Sequence, residues 1–198
     1  MVSVDGGYLR KYLKDMFHDD SFDSRALIQL IETGIPKPAN LLVELIRVYF
    51  YDAITSNDDT IAYQSQQSYL QRLKVADQFE VRLERLKKDS KGMYRQKGAD
   101  TLIAIDMLSK GYSDHYYIAV LFAGDADLVE VVTAVKNAGK VVYGIFTNHA
   151  STELIDVLDK KLSIDNGLDI KSKKKSMITF SMVIMINFCS VDYAHFTL

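Results

Sequence analysis

The sequence predicts an α/β domain whose central sheet is mainly parallel. Along roughly the first 165 residues, segments typical of strands alternate with segments whose apolar residues have helical spacing. Residues 116–123 are almost continuously apolar, which is typical of a strand buried on both faces of a parallel sheet. Hydrophobic residues make up 48% and charged residues 25% of the 198-residue chain, so extensive disorder is excluded.

The first half of the chain supplies two strands and two helices. Residues 2–4 form a short apolar strand, which stops at Asp5 because the two glycines that follow favour a tight turn. Helical spacing then covers 8–16 and 26–31, the second helix being ended by glycine and proline. The β-branched and aromatic run at 47–51 predicts a strand that ends at Asp52.

The second half continues the same alternation. The first helix of this half is polar and the next has a broad apolar face, while compact apolar or alternating runs predict the strands. In chain order we expect a helix over 60–76, a strand over 79–86, a helix over 100–110, the buried strand over 116–123, a helix over 128–138 closed by Gly139, a strand over 141–146, a helix over 152–160 and a strand over 162–164.

Composition divides the chain into a domain over 1–168 and a C-terminal extension over 169–198. The extension starts with lysines, and its apolar stretch at 177–191 is shorter than the roughly 20 residues a spanning helix needs, so we expect no membrane span. The single cysteine, Cys189, excludes an intramolecular disulfide and favours a reducing compartment, for which we take the cytoplasm. A net charge of −2 argues against unselective coating of DNA.

Aspartates follow the predicted strands at the points where those strands end. Asp5 and Asp52 follow the first two strands, Asp125 and Asp127 follow the buried strand, and Asp100 begins a helix. The carboxyl ends of parallel strands meet at one edge of a sheet, so these acids should converge there. Clustered carboxylates repel one another unless a cation neutralises them, and all-oxygen ligands suit Mg²⁺ or Mn²⁺.

Each of these acids also has an ordinary structural explanation. Asp100 is suitable as the N-cap of its helix, and Asp127 is suitable as the cap of the helix beginning near residue 128. Asp5 and Asp52 are common turn residues. Asp106 falls in mid-helix, where a solvated position is the ordinary expectation.

Four motifs occur in an order that is specific although each is short. They are Val2-Ser3-Val4-Asp5-Gly6, Tyr49-Phe50-Tyr51-Asp52-Ala53, Lys97-Gly98-Ala99-Asp100-Thr101-Leu102-Ile103-Ala104-Ile105-Asp106 and Ala123-Gly124-Asp125-Ala126-Asp127-Leu128-Val129. The chain resembles the NYN domain, the LabA-like branch of the PIN-like nuclease superfamily. The resemblance implies a PIN-like, Rossmann-like α/β/α sandwich whose acids bind Mg²⁺ or Mn²⁺ and cleave RNA.

The resemblance also implies roles for individual residues. Catalytic and metal-binding roles are implied for four acids, and weaker metal-binding roles for two more; the residues are Asp5, Asp100, Asp125 and Asp127, then Asp106 and Asp52. The sequence departs from the usual family pattern at two positions. Tyr8 stands where the first motif usually has asparagine, and Leu128 stands where the last motif usually has phenylalanine.

Residues 72–97 are the strongly basic stretch of the domain and lead directly into Asp100. Basic side chains beside an acidic centre are suited to holding phosphates, although a solvated strand and loop would have the same composition. Lys97 and Arg95 are the candidates for phosphate contacts. Tyr8 is a candidate for stacking on a base.

Two functional hypotheses follow. The first is a metal-dependent endoribonuclease, and the alternative is an NYN-like module that binds RNA or a protein without cutting. A dehalogenase-like phosphatase is disfavoured because glycine stands at position 7, where a second aspartate is needed, and dinucleotide binding is disfavoured because the first strand is not followed by GxGxxG. A homodimer is left open as a further assembly.

Overall fold

A computed structural model describes residues 1–18, 21–35, 42–54, 60–85, 87–88, 94–95 and 98–164. The strands are β1 (Val2–Asp5), β2 (Val48–Ile54), β3 (Phe79–Arg85), β4 (Lys87–Lys88), β5 (Tyr94–Arg95), β6 (Ile118–Phe122), β7 (Val141–Phe146) and β8 (Lys160–Ser163). The helices are α1 (Gly6–Phe17), α2 (Ser24–Gly34), α3 (Thr60–Lys74), α4 (Ala99–Tyr112), α5 (Val129–Asn137) and α6 (Thr152–Val157), with a 3-10 turn at Ala126–Leu128.

Six strands of the described chain form one parallel sheet in the order β3-β2-β1-β6-β7-β8. The chain builds outward from β1 through β2 and β3, then returns to place β6 on the other side of β1. This reversal makes a topological switch point between β1 and β6, where open α/β sheets bind ligands. The register pairs Val4 with Phe122, so the two strands end side by side.

Helices cover both faces of the sheet, which confirms the predicted α/β/α sandwich. On one face, α1 and α2 bury leucines such as Leu9, Leu13 and Leu27 against the sheet. On the other face, α4 and α5 bury Met107 and Val132. All five residues of β6 are buried, as expected of a central strand with helices on both sides.

Several predicted boundaries were wrong for identifiable reasons. β2 does not end at Asp52 but continues to Ile54, because residues 52–54 pair with residues 83–85 of β3. α6 stops at Val157 because Leu158 turns to an extended conformation and β8 begins at Lys160. The small antiparallel hairpin of β4 and β5 was not predicted at all.

An apolar groove of about 720 Å³ lies at the opposite edge of the sheet from the strand-end acids. Met1, Ile118 and residues 42–47 contribute to its lining, which places it at the amino ends of β1 and β6. In the portion of the chain described here, no helix is long and apolar enough to cross a membrane. The predicted extension at 169–198 lies outside the described residues.

We expect Leu13→Ala to reduce the free energy of unfolding by about 2–5 kcal/mol, because Leu13 is completely buried and its truncation leaves a cavity. Met16→Ala on the same helix removes a side chain that is 46% exposed and should cost no more than about 0.5 kcal/mol. Urea unfolding of both variants measures the difference. Equal losses would contradict the assignment of the two faces of α1.

Candidate metal centre

The switch point between β1 and β6 carries two of the predicted acids. Asp5 is the last residue of β1, and Asp125 follows β6 after two small residues. A third acid, Asp100, lies in the first turn of α4, the helix that packs beside these strands. The strand-end convergence expected from the sequence therefore brings Asp5, Asp100 and Asp125 to one edge of the sheet.

Asp5 caps α1 with one carboxylate oxygen. Its Oδ1 accepts hydrogen bonds from the backbone N–H of Gly7 at 2.8 Å and from that of Tyr8 at 3.1 Å. Burial raises the pKa of Asp5 to about 6, and the neighbouring carboxylates of Asp100 and Asp52 also raise it. The two N–H donors act in the opposite direction but do not offset the burial. Asp5 therefore takes up a proton at a higher pH than an ordinary aspartate does.

Asp100 is not the helix cap that an isolated reading of its position suggests. Gly98 occupies the N-cap of α4 with φ +141°, and no side chain caps that end of the helix. Burial raises the pKa of Asp100 most. The carboxylates of Asp125, Asp127 and Glu84 raise it further, with effects that decrease in that order. Asp100 therefore lies at the electrostatic centre of the acidic edge.

Asp125 and Asp127 lie together in the turn after β6. The Oδ1 of Asp125 accepts a hydrogen bond from the Asp127 backbone N–H at 2.9 Å and so caps the 3-10 turn. Asp127 does not cap the helix that follows, because the N-cap of α5 is Leu128, which has no side-chain cap hydrogen bond. Both side chains are exposed, so their outer oxygens face the solvent from which a substrate would arrive.

Glu84 is a member of this acidic edge that sequence reasoning did not single out. It lies next to the last residue of β3, and its Oε2 is buried without a hydrogen-bond partner among the described residues. Its carboxylate packs on Gly98, where an added Cβ would lie 2.0 Å from Oε1. The available signal was its position near the carboxyl end of a strand, but as a polar residue in an alternating pattern it looked ordinary.

The donor chemistry of this edge fits a hard divalent cation. The buried Glu84 oxygen, which has no hydrogen-bond donor among the described residues, destabilises the folded protein, and so does the repulsion between Asp100 and its neighbouring carboxylates. A bound cation would reduce both free-energy costs. Among the described residues, however, no three Asp, Glu, His or Cys side chains are grouped closely enough to hold a metal ion. The acids are electrostatically coupled without forming a closed ligand shell.

A match to the NYN domain family covers residues 1–165. The chain belongs to the NYN domain family. A solved structure of a protein of unknown function from Vibrio parahaemolyticus RIMD 2210633 is similar, with a TM-score of 0.59 at 23% identity over 83% of this chain and 91% of that chain. This similarity supports the shared fold. A search of curated proteins finds no significant match.

Family membership confirms the resemblance and its nuclease-like fold. Asp52 was expected at the end of a strand, and its position in this NYN domain is different. Asp52 lies inside β2, is completely buried, and forms a two-pronged ion pair with the Arg10 guanidinium, one contact of which is 2.8 Å. Its Oδ1 also accepts a hydrogen bond from the Ala53 N–H. Because Arg10 already neutralises this carboxylate, Asp52 is a weaker candidate ligand than the acids at the strand ends.

Asp106 likewise has cationic and hydroxyl partners. Its Oδ2 accepts a hydrogen bond from the Tyr51 hydroxyl at 2.9 Å and lies 3.7 Å from Arg82 Nε, while Oδ1 pairs with Lys110 one turn along α4. Only 14% of its side chain is exposed, so it is not the solvated helix position that its sequence context suggests. These partners join α4 to β2 and β3.

Of the three residues predicted to contact RNA, the structure describes the side chain of Tyr8 alone. The Tyr8 hydroxyl lies 2.8 Å from Thr147 Oγ1, and so takes part in packing at the sheet edge. Lys97 lies outside the described residues, and Arg95 lies on β5 in a segment whose side chains the structure does not describe. Their phosphate contacts stay predictions.

We expect Asp52→Asn to reduce the free energy of unfolding by about 2–4 kcal/mol, because the Arg10 guanidinium would lose its buried counter-charge. Glu80→Gln, on the neighbouring strand, breaks the more exposed pairs with Arg47 and Arg82 and should cost less than about 1 kcal/mol. Guanidinium unfolding compares the two. An Asp52→Asn variant with an unchanged free energy of unfolding would restore Asp52 as a candidate metal ligand.

We expect Asp5→Asn to stabilise the metal-free protein at neutral pH by about 1–3 kcal/mol. The pKa of Asp5 is raised in the folded protein, so its favourable contribution is complete below about pH 4 and is lost as pH rises through about 6. Asparagine keeps the oxygen that caps α1 and removes the charge.

Thermal unfolding in EDTA at pH 4 and pH 7.5 measures this effect. Asp23→Asn is the matched control, because Asp23 caps α2 with its side chain in the same way. An Asp5→Asn gain that was the same at both pH values would show that burial of the Asp5 charge is not its cause.

Proposed function

We propose that this NYN domain is a metal-dependent endoribonuclease that hydrolyses RNA phosphodiester bonds at the acidic edge beside β1 and β6. The observation that carries the proposal is the placement of Asp5 and Asp125 at the carboxyl ends of the adjacent strands β1 and β6, with Asp100 in the first turn of the helix packed against β1. Burial and neighbouring carboxylates raise the pKa of Asp5 and of Asp100. Like charges gathered at a ligand-binding edge favour a cation as their natural counter-charge. The nuclease-like character of the NYN family supports the same reaction class.

The residues that would hold Mg²⁺ or Mn²⁺ are Asp5, Asp100 and Asp125, with Asp127 and Glu84 beside them. Bound there, the metal would supply Lewis-acid activation of water and stabilisation of charge developing on the phosphate. We leave Asp52 and Asp106 out of the ligand set because each is already paired with a cationic side chain. The five remaining acids must turn their carboxylates inward for any three to share one ion.

Backbone N–H groups orient two of these carboxylates without a bound cation. Asp5 is held by two backbone N–H groups through Oδ1, so its Oδ2 is the oxygen available to a ligand. Asp125 is arranged in the same way, with Oδ1 fixed by the Asp127 N–H. The Asp5 and Asp125 carboxylates are therefore oriented by the N–H groups that they cap. Asp100 lies in the first turn of α4, where burial and neighbouring carboxylates raise its pKa.

RNA is the substrate class that we propose for this edge. The exposed Asp125 and Asp127 place the acidic turn at the surface, where a phosphodiester can approach. The basic stretch that ends at Lys97 precedes Asp100 by three residues and is our candidate for holding phosphates. A cytoplasmic location and a homodimer stay predictions.

A second candidate function is an NYN module that binds RNA or a protein without cutting it. The observation that favours it is that no three described acids are grouped as metal ligands. Under this alternative, replacing Asp125 leaves RNA affinity unchanged or improves it by removing a negative charge, and Mn²⁺ produces no cleavage.

We expect Asp125→Asn to reduce Mn²⁺-dependent cleavage of labelled RNA by at least about 100-fold. Asparagine keeps the oxygen that caps the 3-10 turn, so the fold and melting temperature should be nearly unchanged. Single-stranded and hairpin RNA with Mn²⁺, Mg²⁺ or EDTA test the variant beside the wild-type protein.

Asp156→Asn is the matched control, because Asp156 is an aspartate on α6 whose side chain is 71% exposed. Its activity should equal that of the wild-type protein. Cleavage that survives EDTA, or that Asp125→Asn retains in full, would contradict the proposed metal centre. RNA binding without cleavage in the wild-type protein would favour the binding module.

A further inference from the structure

Tyr8 connects the acidic edge to a strand that carries none of its acids. It is the third residue of α1, the helix that begins directly after its N-cap, Asp5. Its hydroxyl lies 2.8 Å from Thr147 Oγ1 and accepts a hydrogen bond from the Thr147 backbone N–H at 2.9 Å. Thr147 follows β7 and is 1% exposed, so this contact joins the ends of β1 and β7 within the protein.

The Tyr8 ring packs on the backbone that leads from β6 to Asp125. A Cβ added at Gly124 would lie 2.3 Å from Tyr8 Cε2, so the ring occupies the space beside Gly124. The ring also makes an edge contact with Phe122, with the ring centroids 6.1 Å apart. The φ angle of Gly124 is outside the left-handed region, so its backbone does not require glycine. The Tyr8 ring does.

We propose that Tyr8 is a positioning residue for Asp125: it clamps the turn at 124–127 against the ends of β1 and β7, and so sets where the Asp125 carboxylate lies. The proposal rests on the metal-dependent function proposed above. A phenol suits this task, because its apolar ring fills the gap beside Gly124 while its hydroxyl satisfies buried polar groups. Ser151 completes the clamp through its N–H, which donates to the Gly124 carbonyl at 2.9 Å.

This role differs from the base stacking that the sequence predicts for Tyr8. The Tyr8 hydroxyl is directed to Thr147. This polar contact at the sheet edge acts on the Asp125 turn through packing. Base stacking by Tyr8 is correspondingly disfavoured, because its ring and hydroxyl are both engaged within the fold.

The first test compares Tyr8→Phe with Tyr12→Phe in the full-length chain. Each removes one hydroxyl from α1, since the Tyr12 hydroxyl donates to the Ile164 carbonyl at 2.8 Å, beyond β8. Hydrogen exchange of the amides at 125–129 and Mn²⁺ binding followed by electron paramagnetic resonance are both measured. We expect Tyr8→Phe to speed exchange in this turn and to weaken Mn²⁺ binding about three- to tenfold, and Tyr12→Phe to do neither.

The second test uses the contact between Tyr8 and Gly124. Gly124→Ala should displace the turn, speed its hydrogen exchange and weaken Mn²⁺ binding, because its new methyl group would overlap the Tyr8 ring. Adding Tyr8→Ala should rescue Gly124→Ala only as far as the exchange rate of Tyr8→Ala alone, since the overlap disappears together with the ring. Adding Tyr8→Phe should give no rescue, because the ring stays.

The outcomes separate this proposal from the proposed function. Unchanged exchange at 125–129 in Tyr8→Phe, or equal rescue of Gly124→Ala by Tyr8→Phe and Tyr8→Ala, overturns the clamp. Unchanged Mn²⁺ affinity in Tyr8→Phe, when the wild-type protein binds Mn²⁺, overturns its positioning role. A wild-type protein that binds no Mn²⁺ overturns the metal centre, and the exchange results still decide whether Tyr8 clamps the turn.

Discussion

The parallel pairing of β1 with β6 is the constraint on which the candidate site depends. The pairing aligns the carboxyl ends of two strands that are more than 110 residues apart in the chain, and it creates the switch point at which α1 and the turn after β6 diverge. Asp5 and Asp125 lie at these two ends, each with one oxygen fixed by backbone N–H groups. Both acids are thus placed by the topology, before any contact between their side chains.

The acids of this protein divide according to whether a cationic side chain faces them. Asp52 pairs with Arg10, and Asp106 with Lys110, and these ion pairs fasten helices to the sheet. Asp5 and Asp100 are surrounded instead by burial and by other carboxylates, which raise their pKa values. A fold that neutralises some carboxylates internally and gathers others at one edge gives that edge a local excess of negative charge. This division is the physical basis for choosing among the six acids that the motifs nominate.

The alternation of strands and helices was predictable because each element carries its own periodicity, and the strand-end positions of Asp5 and Asp125 follow from it. The internal position of Asp52 was not predictable locally, since β2 is extended by pairing with β3 and the partner Arg10 is 42 residues distant. Glu84 was missed because its significance arises from its packing on Gly98, a contact that sequence patterns do not show. Local patterns indicate which residues end an element, whereas ion pairs and orphaned carboxylates depend on tertiary packing.

The same packing explains how a tyrosine fits at position 8. Its ring needs room, and Gly124 provides it by presenting only hydrogen to the ring. The hydroxyl then reaches Thr147 and supplies buried polar groups with a partner. Tyr8 and the glycine before Asp125 are therefore one structural unit, in which a residue near the first acid controls the backbone of the last. An acidic edge whose charges repel one another needs such a restraint, because without a bound cation the exposed turn at 125–127 would otherwise be free to move its carboxylates apart.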